Sequence, residues 1–142
     1  MTANPNDKRQ TKRITCSLPV RLRTRSGWID AEVADASRNG LQIKIADAAV
    51  GLRATTSLLE VARRLGGMLP ESIEARLGPT GAVTRFVQVA RIGKRNRNDD
   101  HVHLGVRLEQ PFSDEDVEVL ELILPQPGES WEQAERRVRS AP

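Results

Sequence analysis

Apolar and polar side chains alternate along most of the chain. Ile14, Cys16, Leu18, Val20 and Leu22 alternate with Thr15, Ser17, Pro19, Arg21 and Arg23, the period of a half-buried strand. Pro19 has no N–H to give to a ladder, so it marks an edge or a bulge. After a turn at Ser26-Gly27, Ile29, Ala31 and Val33 alternate with Asp30 and Glu32, which predicts a second strand paired with the first as a hairpin. Leu41, Ile43 and Ile45 alternate with Gln42 and Lys44 as a third. Ile73 to Leu77 suits a short strand that ends in the turn Gly78-Pro79-Thr80-Gly81. Ala82 to Ile92 reads as a strand with two competing faces. Val83, Val87 and Val89 share a phase with Arg85 and Arg91, while Ala82, Thr84, Phe86 and Gln88 hold the other. A polar hairpin loop over Gly93 to Asp100 leads to Val102, Leu104, Val106 and Leu108, alternating with His101, His103, Gly105 and Arg107.

Two stretches change period. Within Asp47 to Pro70, Leu58, Ala62 and Leu65 fall at helical spacing, with Thr56 or Ser57 as cap and Gly66-Gly67 as stop. Ser113-Asp114-Glu115-Asp116 has the form of a capping box with Asp in place of Glu. It opens the stripe Val117, Leu120, Ile123 and Leu124, which Pro125 stops. Ser130 with Gln133 forms a second box ahead of a charged helix over Trp131 to Arg139, so residues 125–142 read as a docking helix or a loose tail. Five or six short strands at hairpin spacing, with helices gathered late, predict a mainly β fold, a small antiparallel barrel plus helices.

Composition narrows the possibilities. A length of 142 residues suits one domain, and no stretch reaches the ~18 apolar residues of a membrane span. Residues 1–7 are polar and read as a disordered lead. No apolar run marks a signal peptide at the N-terminus, so the expected location is the cytoplasm. Cys16 is the single cysteine, which excludes an internal disulfide and a Cys-based metal site; its apolar phase predicts a buried small hydrophobe. Aromatic residues make up 3% with no Tyr, which argues against a base-stacking platform. A net charge of +3 and a pI near 9.6 permit an anionic ligand without requiring nucleic acid. Among the 22 cationic residues only Lys8, Lys12, Lys44 and Lys94 are lysine; the rest carry the planar fork that matches phosphate and guanine edges.

Catalytic chemistry finds little support. His101 and His103 could be two metal ligands, but no third stands at a diagnostic spacing, and polar residues on an exposed strand face explain them. There is no phosphate-binding loop and no dinucleotide fingerprint, and no cofactor is implied. The informative stretch is Asp35-Ala36-Ser37-Arg38-Asn39-Gly40. Its pattern D-x-S-x-x-G should occur by chance in only about 5% of chains of this length, whereas R-x-x-x-R recurs at Arg9/Arg13, Arg21/Arg25 and Arg91/Arg95 and is uninformative alone. An ordinary connector would explain it too: Asp35 and Ser37 would make side-chain turns, and Asn39-Gly40 would supply positive φ. The chemistry of the combination is nevertheless coherent. A carboxylate on a turn can accept from a guanine N1–H and amine, Ser37 adds a hydroxyl, and Gly40 lets backbone approach a ligand. Arg9 and Arg13, on a basic arm at residues 8–13, can fork onto phosphate or guanine and stack on the base.

Arg9-Gln10-Thr11-Lys12-Arg13 just before the first strand, followed by DASRNG, resembles the PilZ domain family, whose signature is this pair of motifs in this order. His103-Leu104-Gly105-Val106-Arg107-Leu108 is similar to the family's last barrel strand, and the capped helix after it fits as well. The resemblance covers residues 8–124. It implies a six-stranded antiparallel barrel, with an inserted helix in the unusually long stretch Asp47 to Pro70, that binds cyclic di-GMP and is not an enzyme. It also implies roles for Arg9, Arg13, Asp35, Ser37 and Gly40 in holding the ligand, while Lys8 bears on whether one molecule or a stacked pair binds. The arm would order on binding and present a surface to a downstream effector protein. Two other readings stay open: a related module that has lost its ligand and works through protein contacts, and a small basic barrel that binds nucleic acid.

Overall fold

The computed structural model describes residues 14–79, 81–96, 98–123, 133 and 136, with the side chains of 14–16 and 121–123 outside that description. Its elements are β1 (Ile14–Thr24), β2 (Gly27–Ala36), β3 (Gly40–Ala46), a 3-10 turn (Asp47–Val50), α1 (Leu58–Met68), β4 (Ile73–Leu77), β5 (Val83–Gly93), β6 (His101–Leu108) and α2 (Asp114–Ile123). The strands close a six-stranded barrel in the order β1-β2-β3-β6-β5-β4, every pair antiparallel. Closure removes the unpaired edges that an open sheet of this size would leave.

The period-two pattern gives the core directly. Leu18, Val20, Leu22, Val33, Leu41, Ile43, Ile45, Ile73, Leu77, Val87, Val102 and Leu104 are all at most 2% exposed. In β5 the inner phase is that of Val83 and Val87; Phe86, on the other phase, is 50% exposed. Pro19 lies where the β1–β4 ladder has just ended: its carbonyl accepts from Gly78 N–H at 2.8 Å, and Val20 pairs with Leu77. Its missing N–H faces that same side, where the Gly78 carbonyl accepts instead from Gly81 N–H at 3.1 Å. Pro19 marks neither an edge nor a bulge: it pairs in register with Glu32, and the β1 irregularity lies before it, as a register shift between Thr15 and Leu18.

The stretch after β3 does form a helix, but on a different stripe and with a different stop. Ser57 caps it, its Oγ accepting from Glu60 N–H at 3.3 Å. Val61, Leu65 and Leu69 are buried, while Leu58 and Leu59 are 54% and 68% exposed and Ala62 is exposed. Gly66 and Gly67 do not end it. The i, i+4 apolar series continues past them, and burying Leu69 outweighs the roughly 1 kcal/mol cost of each helical glycine. The helix stops at Leu69, which is extended (φ −97°, ψ 127°) because Pro70 follows it.

Helix α2 begins with the expected reciprocal box. Ser113 N–H donates to Asp116 Oδ2 at 2.9 Å, and Asp116 N–H donates to Ser113 Oγ at 3.1 Å. The Ser113 N–H, ahead of the Arg85 guanidinium paired with it, holds the Asp116 carboxyl below its ordinary value in spite of partial burial. Leu120 and Phe112 are 3% exposed and belong to the core. The Pro125 stop and most of the second C-terminal helix lie outside the described residues; Gln133 and Arg136 are helical. No described helix is long and apolar enough to cross a membrane.

Candidate functional site

Asp35 shares its parity with the inward Val33, so a regular β2 would point it into the core. The β2–β3 register prevents this. Val33 pairs with Ile43 but Asp35 pairs with Gln42, which leaves Ala34 as an extra residue. The bulge turns Asp35 to the outer face. A second bulge acts alike on β5. Val89 pairs with Val106 but Arg91 pairs with Gly105, so Ala90 is extra and Arg91 faces out. Asp35, Gln42, Gly105 and Arg91 thus form one row across β2, β3, β6 and β5. A neighbouring row runs from Gly40 to Arg107 to Gln88.

An open cleft of about 300 Å³ lies over these rows, and Asp35, Ser37, Gly40, Gln42, Arg91 and Arg107 line it. Gly105 keeps its floor low: a Cβ there would come within 3.4 Å of both Arg91 Nε and Gln42 Nε2. A second cleft, of about 420 Å³, adjoins the first at Asp35 and Gln42 and is lined on its far side by Lys44, Lys94, Arg95 and His103. Its cations are partly engaged, since Lys94 Nζ lies 2.6 Å from Asp47 Oδ2 and 2.7 Å from the Asp99 carbonyl.

The DASRNG run departs from the expected turn. Asp35 and Ala36 are the last residues of β2 and Gly40 opens β3, so the carboxylate stands on a strand. Neither Asn39 nor Gly40 has positive φ. The connection is held by bonds instead: Ser37 N–H donates to Gly40 O at 2.9 Å, Leu108 N–H to Asn39 O at 2.9 Å and Phe112 N–H to Arg38 O at 2.9 Å. Glycine is needed at 40 for another reason. A Cβ there would stand 2.9 Å from the backbone oxygen of Val106, which cannot yield. The Arg38 guanidinium also bonds Asp114 at 2.5 Å, so the turn carrying Ser37 is tied twice to the segment that starts α2.

Three of the expected residues, Asp35, Ser37 and Gly40, therefore meet in one cleft. Lys8, Arg9 and Arg13 lie outside the described residues, and the Cys16 side chain outside the described side chains. Arg91, Arg107 and Gln42 were not anticipated. Arg107 and Gln42 occupy ordinary outward phases, and the spacing of Arg91 is shared by uninvolved arginines.

The two histidines are not simple exposed-face residues. His101 Nδ1 is 2.7 Å from Asp100 and His103 Nε2 is 2.8 Å from Asp99, with 35% and 20% of their side chains exposed. Asp99 organises this loop, accepting from Arg95 N–H at 2.9 Å and His101 N–H at 3.0 Å. Burial opposes its charge, but the Arg95 and His101 N–H groups and the His103 ring outweigh it and hold its pKa at about 2, against the ordinary 3.8. A depressed carboxyl adds stability above the unfolded value, and that stability is lost as pH falls from about 4 towards about 2. The difference is worth roughly 2 kcal/mol. Asp99→Asn is expected to flatten the acid loss of stability over that range, read from urea midpoints. Parallel pH profiles for the two proteins would contradict it.

These features place the chain among small closed antiparallel barrels with a polar cleft on the outer sheet face. The PilZ domain family model matches residues 7–125, and the chain belongs to that family. Among solved structures it is similar to the Bacillus subtilis inhibitor of motility MotI/DgrA, at 13% identity and a TM-score of 0.50, over 95% of this chain and 53% of that one. It is also similar to Borreliella burgdorferi PlzA in complex with c-di-GMP, at 14% identity and a TM-score of 0.49, over 78% of this chain and 50% of that one. The PilZ domain of Escherichia coli YcgR with c-di-GMP matches at 17% identity and a TM-score of 0.49, over 94% of this chain and 95% of that one. The chain thus spans about half the length of the first two. No curated protein matches it.

Proposed function

We propose that this protein is a cytoplasmic receptor for cyclic di-GMP, not an enzyme, that passes ligand occupancy to an effector protein. The observation that carries the reading is the convergence of Asp35, Ser37 and Gly40 on one cleft that also holds Arg91 and Arg107. The Asp35 carboxylate, acceptor-only, matches a guanine N1–H and exocyclic amine. Gln42 and the Ser37 hydroxyl can bond the remaining edge. Arg91 and Arg107 supply forked donors for phosphate oxygens or for guanine O6 and N7.

Lys8, Arg9 and Arg13 act from the arm. Phosphates neutralise the two guanidiniums, the arm folds onto the barrel, and ordering costs about 1–2 kcal/mol per residue, which the charge-assisted contacts must exceed. The Arg38 links to Phe112 and Asp114 give the cleft a direct mechanical route to α2. Isothermal titration with cyclic di-GMP, against GTP and linear di-GMP, tests the reading. Micromolar or tighter binding of the cyclic ligand alone is expected, and a stoichiometry of two ligands per chain would assign Lys8 to a stacked pair. Arg9→Ala and Arg13→Ala should each weaken binding by roughly 10-fold or more with unchanged thermal unfolding. Unaltered affinity in both would remove the arm from the site.

A further inference from the structure

On the other side of the barrel, across β4, β1 and the start of β2, three arginines surround one indole. The Arg76, Arg21 and Arg23 guanidinium carbons lie 4.6, 5.8 and 5.9 Å from the centroid of Trp28. Arg23 stands directly across from Trp28 in the β1–β2 ladder, and Arg21 directly across from Arg76 in the β1–β4 ladder. Like charges directly opposite each other in a sheet are destabilising. Here they are held in place by the ring and by two acidic neighbours. Those neighbours do not satisfy them. Arg21 Nε is 3.5 Å from Asp30, Arg23 Nη1 is 3.8 Å from Glu74, and Arg76 Nε is 3.1 Å from the same Glu74. One carboxylate thus serves two guanidiniums, and the three arginine side chains remain 50–63% exposed. Their guanidiniums are thus gathered over one ring while much of each side chain stays open to solvent.

We propose that this face is a docking surface for an acidic segment of a partner protein. Carboxylates on alternate residues of an extended segment recur at about 7 Å, the spacing of Arg21 and Arg23 along one strand. Each would meet a guanidinium already oriented by Trp28, so the entropic cost of fixing the arginines is met before binding. A base-stacking role fits less well, because guanidiniums already occupy the ring. The surface is separate from the cleft and does not rest on the cleft's ligand.

The test uses the full chain carrying Trp131→Phe, which leaves Trp28 as its one tryptophan. Titration with poly-L-glutamate should give a saturable change in Trp28 emission. Arg23→Gln/Arg76→Gln should weaken that binding at least 10-fold, while the charge-matched Arg53→Gln/Arg63→Gln, on the α1 side, should not. If the first pair unfolds the barrel, Arg21→Gln alone should still weaken binding several-fold. Equal losses in the two double variants would overturn the proposal in favour of diffuse attraction, as would no emission change. An oligothymidylate that binds this face more tightly than poly-L-glutamate would overturn it in favour of nucleic acid.

Discussion

Asp35→Ala is expected to reduce affinity for cyclic di-GMP on the order of 100-fold or more. Two hydrogen bonds to an ionised acceptor, each worth about 1.5 kcal/mol net, give a loss of about 3 kcal/mol. The loss should be specific to guanine, because no other described residue places a carboxylate in the cleft. The backbone of Asp35 pairs with Thr15 and Gln42 whatever its side chain, so the strands should persist. Titration calorimetry alongside far-UV circular dichroism reads both quantities. Retained affinity in a folded Asp35→Ala protein would refute the guanine role. A basic surface that binds nucleic acid through phosphates would lose nothing from this change.

Leu104→Ala should cost 2–5 kcal/mol, about the range for a buried leucine truncated where the surroundings cannot collapse. Leu104 is fully buried on β6, the strand between β3 and β5, and pairs with Ile43 on one side and Ile92 on the other. Its neighbour Gly105 forms the floor of the cleft. Since a domain of this kind is stable by only about 5–15 kcal/mol, a large share of the total is at stake. Urea unfolding measures it, and a change below 1 kcal/mol would mean that the barrel repacks around the gap. Ligand added above saturation should restore part of the loss by mass action, and only if the cleft still binds.

The strands were legible because each has one wet and one dry face, and closure of the barrel keeps that contrast along its whole length. The capping box at Ser113 was legible too, since cap chemistry is local. What failed was what depends on neighbours. The α1 stripe was misplaced because Leu58 and Leu59 are apolar yet exposed, and the Gly66-Gly67 stop was overridden by the burial of Leu69. The requirement for Gly40 was read as a torsion, whereas it arises from the Val106 carbonyl of a strand far along the chain. The motif brings Asp35, Ser37 and Gly40 to one cleft. It could not give Arg91, because the alternation of β5 puts that residue in phase with Val87 and Val89.

Ala90 and Ala34 line the first and second clefts but bring no polar group to them, and exchanging either for another small residue should pass unnoticed. Flattening either bulge is another matter. With Ala34 absorbed into regular pairing, Asp35 would fall opposite Leu41 and turn into a barrel lined with leucine, isoleucine and valine, where an unpaired carboxylate costs several kcal/mol. That cost holds the bulge in place, so the carboxylate that lines the cleft also fixes the register of its own strand. A large apolar residue at 35 would remove the penalty and let β2 slip by one.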